Sequence, residues 1–355
     1  MNFTINVRKL EFDYVRIEDD GIANEQQLPC LKNLDLTLQE TSPVLFTILK
    51  QCEIKSLVVA LYGDVPYSDF TPLVELLSTQ TELKSLKLKG FYETNLFMFD
   101  IKDKVNFKLT SFNFTNSDLE EYIYLENFLL SQCLSLEELY IDKMPEVEYS
   151  LILNKCMKLK KLHIKPSDLI LNSLETIAIQ ELILDAEDDP NNLNEIVSKF
   201  PNVVTLHLKS CEDRTVLKKI SETMLNLKSI RIDDGVVESL LLKKLKKVSI
   251  GGVDTVLPAF TKFFMDNNTI EELYLEVDGN FSDNILEIIT KNLPQLKVLS
   301  IKNDCLLTKA AFELIQSNCP KLKTFEMQYW NQKFTKDDMM ALFEMKGLSF
   351  YCKDC

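Results

Sequence analysis

The residue types that most often carry out chemistry in proteins are scarce in this chain of 355 residues. The sequence has two histidines, His163 and His207, and neither sits in a nucleophile–base–orienter pattern that the sequence reveals. No histidine stands at metal-ligand spacing, and Cys352 and Cys355, the terminal Cys-x-x-Cys pair, would need two further ligands to hold zinc. We therefore predict no catalytic, cofactor-binding or metal-binding residues, and a protein that is not an enzyme.

One pattern recurs along the chain: an apolar residue, two variable residues, an apolar residue, one variable residue and a third apolar residue. Fifteen copies lie between Val7 and Met345, with a mean spacing of about 24 residues. Clear copies are Leu31/Leu34/Leu36, Leu83/Leu86/Leu88, Leu136/Leu139/Ile141, Leu159/Leu162/Ile164, Val203/Leu206/Leu208, Leu227/Ile230/Ile232 and Leu296/Leu299/Ile301. Chance would supply two or three such triplets, and a period of roughly 20–29 residues is typical of leucine-rich repeats.

The spacing within one copy predicts a short strand. The last two apolar residues are two apart, so they point to one face, and the variable residue between them points to the other. Helix signals follow the strands, such as Thr71 before Pro72, and Ser282 ahead of Ile285 and Ile289. A strand and a short helix cannot bury their apolar faces alone, whereas stacked copies share a continuous core. We predict a single α/β domain over residues 1–355, a horseshoe solenoid with a parallel sheet on its concave face and helices on its convex face.

Three copies have unusual lengths. The copies from Leu159 to Ile179 and from Leu227 to Leu245 are short, so we expect their helices to be reduced to about a turn. The copy that begins at Ile54 is long and contains Gly63 and Pro66, so we expect a projecting surface loop there.

Both histidines occupy the variable position between the last two apolar residues, so both should face the concave surface. That column contains Tyr140, His163, Ile183, His207, Arg231, Ser249 and Tyr274. Lysines flank the histidines, and tyrosine and arginine are common interface hot spots. The predicted partner-binding residues are Tyr140, Lys161, His163, Lys165, His207, Lys209, Arg231 and Tyr274. The alternative is that these are solvated strand residues without a partner, and interleaved acids such as Glu138, Asp142, Glu181 and Asp185 argue against a pure anion site.

A second column follows the first apolar residue of each copy and is basic in ten of them. Its members are Arg8, Lys32, Lys55, Lys84, Lys160, Lys228, Lys246, Lys297, Lys323 and Lys346. One interpretation is a positively charged rim for an acidic partner. We favour the other, in which long aliphatic stems cover the edge of the core, because Glu137 and Glu271 interrupt the series.

The segments that lead into several strands carry a cysteine at the end of the preceding helix. They read QCEIKSL, QCLSLEEL, KCMKLKKL and NCPKLKTF and contain Cys52, Cys133, Cys156 and Cys319. The chain thus resembles the F-box/leucine-rich-repeat proteins over nearly its whole length. That resemblance implies a substrate receptor of a cullin-type (SCF) ubiquitin ligase. No F-box is visible here, so we expect a Skp-type adaptor as a partner only if an F-box exists outside this chain.

We therefore expect a protein-interaction module whose concave face binds a protein substrate for ubiquitin conjugation. One alternative is a scaffold or inhibitor that uses the net charge of −14 to hold a basic protein. Another is a receptor for a small anionic ligand, such as an inositol phosphate held by Lys161, Lys165, Lys209 and Arg231.

Composition limits the location and the other partners. The acidic balance argues against nucleic acid, since phosphate binding depends on clustered basic residues. No apolar run approaches the roughly 20 residues that span a bilayer, and the first segment lacks the apolar stretch of a signal peptide. Nine cysteines, an odd number, suit a reducing compartment. We expect a monomer, without membrane or cofactor, in the cytoplasm or the nucleus.

Overall fold

The protein is described by a computed structural model in which two compact units follow one another, residues 1–177 (unit 1) and residues 178–355 (unit 2). The described residues are 9–12, 31–38, 43–61, 70–90, 94–115, 123–141, 149–165, 174, 178–185, 193–209, 211, 213–233, 237, 239–254, 257–278, 281–330 and 349–352. The organisation of residues 1–355 as one domain stays a prediction.

Unit 1 is a stack of strand-and-helix repeats. Its strands are β1 (Lys9–Phe12), β2 (Asn33–Leu38), β3 (Ser56–Leu61), β4 (Ser85–Lys89), β5 (Ser111–Thr115), β6 (Glu138–Ile141) and β7 (Lys161–Ile164). Its helices are α1 (Pro43–Leu49), α2 (Thr71–Thr79), α3 (Thr94–Lys102), α4 (Ile123–Gln132) and α5 (Tyr149–Lys155). The strands pair in chain order and are all parallel.

Unit 2 repeats the same arrangement. Its strands are β8 (Glu181–Asp185), β9 (Thr205–Lys209), β10 (Ser229–Ile232), β11 (Lys247–Asp254), β12 (Glu272–Asp278), β13 (Phe281–Ser282), β14 (Val298–Leu306), β15 (Thr324–Trp330) and β16 (Ser349–Cys352). Its helices are α6 (Leu193–Lys199), α7 (Arg214–Thr223), α8 (Leu257–Asp266), α9 (Asp283–Asn292) and α10 (Lys309–Asn318). All the strands pair in parallel, in the order β8 to β12 and then β14 to β16, and the short β13 pairs with β14.

The core of each unit lies between its sheet and its helices. Along a strand the apolar residues of the triplet are buried and the residues between them are not, as in β9, where Leu206 and Leu208 are buried and His207 is half-buried. Helices cover the buried face with residues such as Ile220 of α7 and Ile289 of α9. This alternation confirms the predicted fold class, a leucine-rich-repeat solenoid with a parallel sheet on one face and helices on the other.

Successive repeats are joined at the rim of the sheet by main-chain hydrogen bonds of one kind. The carbonyl of the residue after the first apolar position accepts two amide hydrogens from the next repeat. For example, Lys84 O accepts from the amides of Thr110 and Ser111 at 2.8 and 3.0 Å. The same double acceptance occurs at Lys32, Lys55, Thr110 and Glu137 in unit 1 and at Gln180, Val204, Lys228, Lys246, Glu271 and Lys297 in unit 2.

Buried side-chain amides form a second connection between neighbouring repeats. Oε1 of Gln80 accepts from the amide of Ile54 at 2.9 Å, and Oε1 of Gln132 accepts from the amide of Leu109 at 3.0 Å. In unit 2, Asn267 Oδ1 accepts from a main-chain amide at 2.7 Å. These polar residues are at most 3% exposed, so their hydrogen bonds satisfy groups that water cannot reach.

The unusual copies have different outcomes. The spacing from Leu227 to Leu245 predicted about one helical turn between β10 and β11, and the described residues there contain no helix. The described residues between β7 and β8 also contain no helix. The loop predicted around Gly63 and Pro66 lies outside the described residues. Among the helices described, none combines the length and apolar character that crossing a bilayer requires.

Candidate functional site

The surface of interest is the face of each sheet that points away from the helices, here called the sheet face. In unit 2 the sheet face carries His207, Arg231 and Tyr274, at the variable positions of their triplets. His207 pairs in register with Arg231, and Tyr274 pairs with Ser249, which is itself the partner of Arg231. Four neighbouring strands thus bring together three of the predicted site residues and one serine.

A cavity of about 410 Å³ opens on the sheet face of unit 2. The side chains of His207, Arg231 and Tyr274 line it, together with Asp233 and Lys247. Its size falls within the roughly 300–1,000 Å³ of binding pockets for small molecules. The cavity is a concave feature on an open sheet surface, and it is the candidate functional site.

The floor of the cavity is low at β11, where Ser249 and Gly251 line it between the much larger side chains of β10 and β12. Ser300 of β14, on the far side of β12, is also small. The register between β11 and β12 shifts after Ile250, and Gly252 adopts a φ of 61°, so β11 bulges here. The bulge places Gly251 against β10, where a Cβ would lie 2.6 Å from the carbonyl oxygen of Asp233.

Asp233 organises one wall of the cavity. Its Oδ2 lies 2.7 Å from Nε2 of His207, and its Oδ1 accepts a hydrogen bond from Nε of Arg231 at 2.6 Å. Burial acts to raise the pKa of Asp233, but the hydrogen bonds from Arg231 and His207 outweigh it and hold the pKa below its usual value. The carboxylate therefore stays ionised at neutral pH and fixes both basic side chains.

Tyr274 forms the opposite wall. Its hydroxyl donates to Oε2 of Glu272 at 3.3 Å, and Nζ of Lys247 lies 4.9 Å from the centre of its ring. Burial raises the pKa of Tyr274 above its usual value even though Lys247 acts in the opposite direction, so the hydroxyl is protonated at neutral pH. Lys247 also pairs with Glu272 at 3.3 Å, and Lys302 pairs with Glu276 at 3.8 Å. The cationic side chains of the lining thus all have acidic partners.

Lys209, the remaining predicted residue of unit 2, is engaged elsewhere. Its Nζ donates to Oδ2 of Asp185 at 3.0 Å, and the Asp185 side chain is only 6% exposed. Lys209 does not line the cavity. Its charge compensates a buried carboxylate, which a solvated patch residue would not do.

The predicted residues of unit 1 form a separate group. The ring of Tyr140 meets the ring of His163 edge to face, with centroids 4.0 Å apart and an angle of 69°. Lys161 and Lys165 flank His163, and all four residues are half-buried. Lys87 of β4 lies on the same sheet face, and the sequence pattern did not point to it. Burial lowers the pKa of Lys87, and the neighbouring Lys89 lowers it further.

The five cysteines buried in the described residues have structural surroundings. Burial raises the pKa of Cys156 and of Cys319 to about 12, and that of Cys211 to about 11. A thiol with so high a pKa is a poor nucleophile and a poor metal ligand at neutral pH. In the described parts of the chain no three His, Cys, Asp or Glu side chains come together in a way that could hold a metal ion.

The rim acids that interrupt the lysine column are themselves bonded to it. Glu137 pairs with Lys160 at 2.7 Å, and Glu271 lies between Lys246 and Lys297. Hydrogen bonds from those two lysines lower the pKa of Glu271 from 4.5 to about 2. Glu271 and its two lysines thus form a small ion-pair network between adjacent repeats of unit 2, and Glu137 and Lys160 form a single pair between adjacent repeats of unit 1.

This network predicts a specific dependence of stability on pH. The folded-state pKa of Glu271 is depressed, so its contribution is complete above pH 4.5 and is lost as the pH falls towards 2. Replacement of Glu271 by glutamine should remove at most about 1 kcal/mol of unfolding free energy at pH 7, because the partners are half exposed. The difference from the wild type should shrink as the pH falls from 4.5 towards 2 and disappear below pH 2, where the carboxyl is protonated in both states. Urea unfolding across this range tests it, with the exposed Glu222→Gln as the control, and a difference that does not shrink between pH 4.5 and pH 2 would contradict it.

Comparison with solved structures gives likenesses at low sequence identity. A yeast complex of Rad7 and Elc1 is 14% identical, with 90% of this chain and 80% of that chain covered and a TM-score of 0.48. The TLR13–ssRNA13 complex is 14% identical, with 96% and 57% covered and a TM-score of 0.57. The Toll–Spätzle complex of Drosophila is 12% identical, with 90% and 51% covered and a TM-score of 0.43.

The chain therefore spans little more than half of the TLR13 and Toll chains that it resembles. No protein-family model matches the sequence, and neither does any curated protein. The likeness to TLR13 agrees with the repeats observed in both units, and it identifies the fold of this chain as a leucine-rich-repeat solenoid.

Proposed function

We propose that this protein recognises a protein partner through the sheet face of unit 2. The observation that carries the proposal is the cavity walled by Tyr274 on one side and by the His207–Asp233–Arg231 group on the other. Tyrosine and arginine in a partly desolvated depression are typical of interface hot spots. The sheet of a solenoid is also a common binding surface, since it presents side chains from many repeats together.

We further propose that the partner is a substrate for ubiquitin conjugation and that the chain is the substrate-binding part of an SCF-type ligase. This role rests on the resemblance of the cysteine-bearing repeats to F-box/leucine-rich-repeat proteins, and the buried thiols of Cys133, Cys156 and Cys319 fit such repeats. An F-box outside this chain would provide contact with a Skp-type adaptor. The setting proposed is the cytoplasm or the nucleus, with the protein as a monomer.

Affinity purification from the native cell, with a tag at the endogenous locus, tests both statements. The wild type is compared with Arg231→Glu and with Lys218→Glu, which makes the same change of charge on the exposed surface of α7. We expect all three to recover cullin and adaptor subunits, and only Arg231→Glu to lose the substrate.

Two results would reject parts of the proposal. If the wild type recovers no ligase subunit, the ligase role is wrong. If Arg231→Glu recovers the same partners as the wild type, the sheet face of unit 2 is not the binding surface.

A second candidate function is suggested by the net charge of −14, which would attract a basic protein held by a scaffold or inhibitor. Affinity for such a partner should fall steeply with added salt. Binding with that salt dependence, unaffected by Arg231→Glu, would favour this function over substrate recognition through the cavity.

A further inference from the structure

We infer that the cavity of unit 2 accepts one neutral aromatic side chain, tyrosine or tryptophan, that protrudes from the protein partner. The inference rests on the proposed function, because it names the chemical group by which the partner is held. The cavity volume of about 410 Å³ is ample for one ring, given that an apolar cavity of ~150 Å³ in another protein holds benzene.

The first argument is the shape of the cavity. Arg231 and Tyr274 stand on either side of Ser249, in register on strands β10, β11 and β12. Strands in a sheet are ~4.8 Å apart, so the main chains that carry the two walls are roughly 10 Å apart. Once the thickness of a guanidinium and a phenol ring is subtracted, the remaining gap suits a flat group stacked between them. Ser249 is too short to fill that gap.

The second argument is chemical. An aromatic ring can pack against the face of Tyr274 and beneath the guanidinium of Arg231, and both contacts are favourable. The guanidinium is held for this by Asp233, which accepts from its Nε at 2.6 Å. The half-buried Ile183 adds an apolar surface to the lining. Tyrosine and tryptophan also lose little conformational entropy when they are fixed.

The third argument concerns charge. Arg231 is paired with Asp233, Lys247 with Glu272 and Lys302 with Glu276. An anionic guest would have to compete with those carboxylates for the cations, and a cationic guest would have to compete with the cations for the carboxylates. A neutral guest competes for neither the cations nor the carboxylates, so the electrostatics of the lining favour an uncharged ring over a carboxylate, a phosphate or an ammonium group.

Lys247 offers a way to distinguish an aromatic guest from an anionic one by mutation. Its Nζ covers the ring of Tyr274 at 4.9 Å, while its side chain is 49% exposed and its ion pair with Glu272 is long at 3.3 Å. Such an exposed pair contributes little to stability, so the lysine can move aside. Replacement of Lys247 by alanine should therefore uncover Tyr274. It should preserve or increase affinity for an aromatic guest, whereas it would weaken binding of an anion.

The experiment uses the whole chain and small probes, and it measures binding by saturation-transfer NMR. The probes are N-acetyltyrosinamide, N-acetyltryptophanamide, N-acetylleucinamide, N-acetylaspartate and adenosine. We expect the two aromatic amides to bind roughly three- to tenfold more tightly than the leucine amide, from stacking against Tyr274 and Arg231. A preference for the aspartate or for adenosine would overturn the inference, because it would assign the cavity to anions or to nucleobases.

Matched variants locate the binding. Ser249→Phe fills the gap between the walls and should abolish binding of the aromatic amides. Asn113→Phe makes the same kind of change at the corresponding position of β5 in unit 1 and should leave binding unchanged. Thermal unfolding confirms that both variants are folded, and Tyr274→Ala should also weaken binding. Binding that survives Ser249→Phe would overturn the inference.

Failure of this inference can be told apart from failure of the proposed function. If no aromatic probe binds while Arg231→Glu loses its partner in the cell, the surface is correct and the aromatic guest is wrong. If the aromatic amides bind as described but Arg231→Glu keeps its partner, the cavity accepts aromatic rings, and the partner binds elsewhere.

Discussion

Replacement of Asn267 by alanine is expected to lower the free energy of unfolding by roughly 2–6 kcal/mol, since each of two buried groups left without a hydrogen bond costs about 1–3 kcal/mol. Asn267 is 1% exposed. Its Oδ1 accepts from the amide of Leu242 at 2.7 Å, and its Nδ2 donates to the carbonyl of Leu240 at 2.8 Å. Alanine satisfies neither group, and water has no access to them.

Urea unfolding of the wild type and of Asn267→Ala measures this effect. The control is Asn268→Ala, the adjacent asparagine, which is exposed and should change stability by no more than about 0.5 kcal/mol. Equal stability of the two variants would show that the side-chain amide of Asn267 does not join the segment around Leu240 and Leu242 to the following repeat in the way the hydrogen bonds indicate.

Replacement of Gly251 by alanine is expected to cost about 1–3 kcal/mol, which is typical of overpacking. The added Cβ would lie 2.6 Å from the main-chain oxygen of Asp233, and a main-chain atom cannot rotate away as a side chain can. The amide of Asp233 donates to the carbonyl of Leu208, so β10 is tied to β9 and resists displacement. The strain should also displace the carboxylate that holds His207 and Arg231.

Two measurements on Gly251→Ala check this prediction. Thermal or urea unfolding gives the loss of stability, with Ser249→Ala as the control, because that residue already has a Cβ and faces the cavity. Titration with N-acetyltyrosinamide should show weaker binding than in the wild type. A variant with the stability of the wild type would mean that β10 and β11 can separate at this bulge without cost.

The repeats were predictable from sequence because their signal is periodic and apolar. The triplet spacing assigned the buried residues of each strand, such as Leu206 and Leu208, and it placed His207 on the opposite face, where the structure has it. Spacing also predicted a helix of about one turn between β10 and β11, and the described residues there contain no helix. These features depend only on the spacing of residues within a single repeat.

The organisation of the site was not predicted, since it depends on contacts between repeats. Asp233 stands one residue beyond the last apolar position of its copy, in the same column as Asp185 and Lys209. Following that column into the next repeat would have found it. The Asp185–Lys209 pair was visible as two charges, but the register was needed to join them.

The buried amides were missed for a different reason. Gln80 and Asn267 occupy the slot, three residues before the first apolar position, where other copies carry Cys133, Cys156 or Cys319. The cysteines make this slot look uniformly apolar, so the polar residues in it are its exceptions. A polar side chain at a position that is otherwise apolar was the available signal. The cavity had no such signal, because it depends on the bulge at Gly251 and on the shortness of Ser249.

The doubly accepting carbonyls at the rim have a consequence for how such a sequence can change over generations. They are main-chain atoms, so substitution at the rim leaves them in place, and threonine, glutamine, valine and glutamate serve there as well as lysine does. Mutational drift can thus erase the similarity of one copy to the next while the stacking survives. The stacked architecture can therefore be retained after much of the sequence similarity between repeats has been lost.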